Sequence, residues 1–135
     1  MEQLEHEEQV SLMKWWSLAH NKFMVNEELL FAIPNGGKRN VITAKKLKDE
    51  GVRAGVPDLF LAYPGTHGGR GLFIEMKKKD GGRLSINQSC MIQRLAQVGF
   101  HCAVCHGWEE AKTAIENYLN GDFTKLIGPQ KAHLN

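Results

Sequence analysis

At 135 residues, with 42% hydrophobic and 24% charged side chains, the chain has the size and balance of one compact domain with a real core. A formal net charge of +2 is too small to establish a nucleic-acid partner, and three cysteines, Cys90, Cys102 and Cys105, do not make a disulfide framework. No apolar run approaches the roughly 20 residues of a membrane helix, and the opening MEQLEHEEQ is acidic where a signal peptide is basic and then apolar, so a cytoplasmic protein with reduced thiols and no membrane partner is the expectation.

The first element is a helix from about Leu4 to Lys22. Leu12, Trp16 and Ala19 or His20 fall on one stripe that continues back to Gln9 and Glu5 and should face a sheet. LLFAI, 29 to 33, reads as a buried strand ended by PNGG, 34 to 37. Residues 42 to 50 suit a short helix stopped by Gly51. Two apolar runs follow, DLFLA at 58 to 62 and GLFIEMK at 71 to 77, separated by the turn-rich YPGTHGGR, which is the pattern of a hairpin. Ser85-Ile86-Asn87-Gln88 has the form of a capping box and starts a helix to about Val98. A strand from His101 to Cys105 and a helix from about Trp108 to Leu119 complete the order, the last with Ala111, Ala114, Ile115, Tyr118 and Leu119 at helical spacing. Residues 1–119 form the expected domain and 120–135 an irregular or partner-dependent tail. The fold expected is α/β, one mixed central sheet flanked by helices.

The hairpin carries the chemistry. If Ala62 faces Gly71, Asp58 lies opposite Glu75, and facing side chains are only about 5 Å apart. Alternation puts Phe73, Glu75 and Lys77 on one side of their strand, so two carboxylates and one ammonium converge. Such carboxylates repel, and a shared proton, a cationic partner or a divalent metal relieves them. An all-oxygen set suits Mg²⁺ or Mn²⁺, with Lys77 orienting or deprotonating a water. An ordinary hairpin with a turn-capping Asp and a solvated Glu-Lys end satisfies the same geometry.

Charge is uneven along the chain. Glu2, Glu5, Glu7 and Glu8 make the start acidic, whereas Lys38, Arg39, Arg53, Lys78 and neighbouring cations flank the hairpin and suit a phosphate backbone. Lys45, Lys46 and Lys48 read as a solvated face. Asn35, Gly36, Gly37, Lys38 and Arg39 form a loop whose glycines permit close backbone approach and whose cations can meet phosphates. Gly55 should let the chain swing tightly into the strand that begins at Asp58. Cys102-Ala103-Val104-Cys105-His106 matches a haem-attachment pattern, but in an extended strand the two cysteines point to opposite faces, and buried free thiols are the expectation. His6, His20, His67 and His133 carry no readable signal.

FAIPNGGKR (31 to 39), LKDEGVRAGVPDLFLA (47 to 62), GLFIEMK (71 to 77) and LSINQ (84 to 88) resemble, in order, successive blocks of the VRR-NUC family within the PD-(D/E)XK nuclease superfamily. The helix bearing Glu5 and Gln9 fits as well, and the resemblance spans about 3 to 119. It implies a restriction-endonuclease-like fold and a divalent-metal-dependent DNA endonuclease, with Asp58, Glu75 and Lys77 in the catalytic centre. It further implies the Met76 carbonyl as a metal ligand, a helix-one glutamate reaching the metal or its water (Glu5, with Glu8 competing), and a glutamine near the lysine, Gln88, whose capping role is not exclusive of catalysis. Branched DNA or four-way junctions are the implied substrates, 5′-phosphate and 3′-hydroxyl ends the products, and phage or mobile-element replication the setting. A nicking or sequence-selective endonuclease and a non-catalytic DNA-binding adaptor are the competing readings. Two nicks on a junction require two centres, so a symmetric homodimer is expected, with Trp15, Phe123, Leu126 and Ile127 as candidate interface residues.

Overall fold

The computed structural model describes residues 3–34 and 41–129. Among them, helices α1 (Gln3–Ala19), α2 (Val41–Asp49), α3 (Ile86–Gln97) and α4 (Trp108–Leu119) accompany strands β1 (Leu30–Ala32), β2 (Leu59–Leu61), β3 (Leu72–Lys77) and β4 (His101–His106). The element order is the one the hydrophobic periodicity predicts. The four strands form one sheet in the order β1-β2-β3-β4. β1 and β2 run antiparallel, as do β2 and β3, while β3 and β4 are parallel, with α3 making the crossover.

The hairpin has the expected register. Leu59 faces Ile74, Phe60 faces Phe73 and Leu61 faces Leu72, and the next pair beyond these is Asp58 and Glu75. Alternation then divides the strands by face. Leu59, Leu61, Leu72, Ile74, Met76, Ala103 and Cys105 pack with Leu12 and Trp16 of α1 and with Ala111, Ala114, Ile115 and Tyr118 of α4 in one apolar cluster. Phe60, Phe73, Glu75, Lys77 and Cys102 lie on the other face, where α3 packs over β4 and Cys102 sits against Ile92. Cys102 and Cys105 are thus buried on opposite faces, and burial pushes both thiols up to about 12.

Three expectations need correction. β1 is not a buried strand: it is a three-residue strand in which Leu30 is buried while Phe31 and Ala32 are exposed, because it lies at the edge of the sheet and pairs with β2 alone. Nor does the chain after 119 stand apart. Ile127 and Cys102 exchange backbone hydrogen bonds of 2.9 and 2.8 Å, and Leu126 enters the core beside Tyr118, so residues 120–129 cover part of the open edge of β4. Phe123 stacks on His101, with ring centroids 4.0 Å apart, and Trp15 packs against the core beside Trp16. Of the four apolar residues expected at an interface, Trp15, Phe123 and Leu126 therefore pack on the core, and Ile127 is held through its backbone.

Candidate active site

The site sits where the β2–β3 hairpin meets the start of α3. Gly55 makes this junction possible: its φ of +85° is one that side chains avoid, and an added Cβ would drive into the Asn87 carbonyl. The loop before β2 therefore lies directly on the first turn of α3. Asp58 leaves this loop with its Oδ2 accepting the Met76 N–H at 2.7 Å, which fixes the carboxylate across the hairpin. The Met76 carbonyl faces the same edge of β3 as its N–H, toward Asp58.

Glu75 and Lys77 are 3% and 7% exposed, unusual for charged residues, and Gln88 joins them. The Lys77 ammonium lies 3.6 Å from Glu75 Oε2 and donates to Gln88 Oε1 at 3.1 Å. The Gln88 amide N–H donates to Glu75 Oε2 at 3.0 Å, and Gln88 Oε1 also accepts the Ser85 N–H at 2.9 Å. Ser85 Oγ accepts the Gln88 N–H, completing the capping box that starts α3. Gln88 Oε1 thus serves both the cap and Lys77, while its amide N–H holds Glu75. Helix formation presets the amide against the strand.

The electrostatics are unbalanced. Burial, and then the neighbouring Asp58 charge, push Glu75 up to about 8 despite Lys77. Burial likewise raises Asp58, although the Met76 N–H, Glu75 and Lys77 oppose the rise. Two carboxyl groups with one ammonium carry excess negative charge in a half-desolvated place, and the pair resists double ionisation until another cation arrives. The donor set fits a hard divalent ion: two carboxylates with a carbonyl on the same edge. Among the described residues no three His, Cys, Asp or Glu side chains gather as a metal cluster.

A cleft of about 380 Å³ opens over the pair, lined by Asp58, Glu75 and Gln88 together with Glu5, His6 and Gln9 of α1. Of the two competing glutamates, Glu5 faces the cleft. Glu8 serves the fold: its Oε1 accepts the Trp108 N–H at 2.8 Å, capping α4 where Gly107 offers no side chain. His6 is an addition to the expected set, and its place one residue after Glu5 and three before Gln9 was the available signal. The Gln9 Oε1 atom is buried without a hydrogen-bond partner.

The expected DNA-contacting residues are divided. Arg53 is exposed in the loop before β2, and Lys78 is half-buried just after β3. Asn35, Lys38 and Arg39 lie outside the described residues. Lys79, next to Lys78, pairs with Glu109 at 3.0 Å, and Lys45 pairs with Asp49 at 2.9 Å along α2 as a solvated face does.

Comparison with known proteins agrees with this arrangement. The family model of the VRR-NUC domain matches residues 2–109, and the chain belongs to that family, a class of nuclease-type, DNA-processing domains. A solved structure described as a VRR_NUC domain protein is similar over 95% of this chain and 93% of its own, with a TM-score of 0.74 and 26% identity. No curated protein sequence matches. No helix among the described residues is long and apolar enough to cross a membrane.

Proposed function

We propose that the protein is a divalent-metal-dependent endonuclease that hydrolyses phosphodiester bonds in DNA, with a preference for branched structures such as four-way junctions. The observation that carries this reading is the buried Glu75, bound to Lys77 and Gln88, beside the half-buried Asp58 in one open cleft. Asp58, Glu75 and the Met76 carbonyl are the groups that would hold Mg²⁺ or Mn²⁺, with Glu5 reaching the ion or its water. When bound, such an ion supplies Lewis acidity, lowering the pKa of water and neutralising charge at the phosphate.

The chain's own groups do the positioning. Lys77 donates to the attacking water and holds it in line with the scissile bond, while Gln88 keeps Lys77 and Glu75 in a fixed relation through both ends of its amide. Arg53 and Lys78, with Asn35, Lys38 and Arg39, contact the phosphate backbone and set register without reading sequence. A homodimer supplies the two centres that a junction requires.

Labelled linear, flap and four-way DNAs incubated with Mg²⁺ or Mn²⁺ test the proposal. The expectation is metal-dependent cleavage, fastest on branched substrates and absent from Asp58→Ala, Glu75→Ala and Lys77→Ala. Full activity in excess chelator, or in two of these variants, contradicts it. Light scattering of the protein with and without junction DNA tests the dimer, and a mass that stays monomeric favours a nickase.

A further inference from the structure

Resting on the nuclease reading, we infer that a row of phenylalanines beside the carboxylates is a stacking platform for an unpaired base next to the scissile phosphate. Phe31, Phe60 and Phe73 are direct cross-strand partners on β1, β2 and β3. Their rings form one array: Phe60 stacks on Phe73 at 4.2 Å, Phe31 meets Phe60 edge-on at 5.9 Å, and Phe100 closes the far end, edge-on to Phe73 at 5.5 Å. By alternation this row shares its sheet face with Asp58 and Glu75, since Phe60 is two residues after Asp58 and Phe73 two before Glu75. Two residues along a strand is roughly 7 Å. The Phe60 ring leans over Gly71, so the row lies one same-face step along the sheet from the carboxylates.

A purely structural role accounts for only part of the row. α3 covers the β4 end of this face, with Cys102 against Ile92, but the other end runs out to the edge strand, where Phe31 is 43% exposed. A large aromatic ring held edge-on by a second ring and left open on the edge strand offers a stacking surface at low entropic cost. Ile33, the next residue after Phe31 on the same face, lines the cleft with Asp58 and Glu75, so one residue separates the open ring from the cleft. Paired bases in a duplex have both faces occupied by their neighbours. Only an unpaired base, as at a flap, gap or junction arm, is free to stack on protein, and such stacking is tolerant of sequence. The platform thus gives a physical basis for preferring branched DNA, with Phe31 as the specificity-determining residue.

Substrates carrying either an unpaired thymidine or an abasic residue at the nucleotide flanking the mapped cleavage position test this. Wild type and Phe31→Tyr should show a KM about fivefold or more lower for the base-bearing substrate with little change in kcat. Phe31→Leu, which keeps apolar bulk without a ring, and Phe31→Ala should lose that difference while retaining cleavage. A wild type indifferent to the base, or a Leu variant that keeps the preference, overturns the platform. Anisotropy of labelled single-stranded DNA in chelator, again with thymidine against abasic, separates the two readings. Base-dependent binding through Phe31 without cleavage of any DNA supports the platform and removes the nuclease; cleavage without base dependence does the reverse.

Discussion

The two faces of the β2–β3 hairpin are built from alternate residues of the same short strands, yet they solve opposite problems. On one side Leu59, Leu61, Leu72, Ile74 and Met76 are fully buried against α1 and α4, and nothing there titrates. On the other, Asp58 and Glu75 line a cleft where burial works against their charges, with Lys77 beside Glu75. The difference teaches that the core face fixes the geometry and the site face bears its electrostatic cost. Rigid packing holds the carboxylates near one another although they repel.

The largest expected effect falls on the site face. Asp58→Ala, Glu75→Ala or Lys77→Ala should lower cleavage by about a thousandfold or more, equivalent to about 4 kcal/mol in the barrier, while circular dichroism stays native. On the core face the cost appears as stability: Ile74→Ala should lose about 2–5 kcal/mol in denaturant unfolding. A mutation that moves both quantities on either face would blur the division.

A pH experiment sharpens the same contrast. Glu75 is raised from 4.5 to about 8 in the folded chain, so between those values the metal-free fold binds more protons than the unfolded chain and loses stability as pH rises. Thermal melts should show this decline flattened in Glu75→Gln. Added Mn²⁺ should raise the melting temperature more at pH 8 than at pH 6, because ligation requires the ionised form. The smallest effect is expected outside the cleft lining, where Glu8→Ala removes a cap from α4 and should cost about 1 kcal/mol with a normal metal response.

Much of the fold was legible because its signals are local. The turn-bounded runs at 58–62 and 71–77 gave a register that the structure shares, and Ser85 and Gln88 gave the start of α3 at its observed position. What escaped depends on partners far along the chain. Glu8 and Trp108 are a hundred residues apart, so no local pattern distinguishes the glutamate that caps a helix from the one that lines the cleft. Leu126 and Ile127 have no periodicity of their own and acquire a place only when β4 offers an edge. The run from Leu29 to Ile33 reads as apolar whether covered or open, and only the sheet order reveals Phe31 as an edge residue. The phenylalanine row follows from alternation once the register is known, as the carboxylate pair does.

The central claim is that Asp58 and Glu75 together hold a divalent ion. Calorimetric titration of Mn²⁺ into the wild type and Asp58→Ala, in two buffers of different ionisation enthalpy at a pH below 8, tests it most directly. The account predicts binding to the wild type with proton release as Glu75 ionises, and binding lost or greatly weakened in Asp58→Ala. Equal binding by the two proteins, or binding to wild type without proton release, would contradict it.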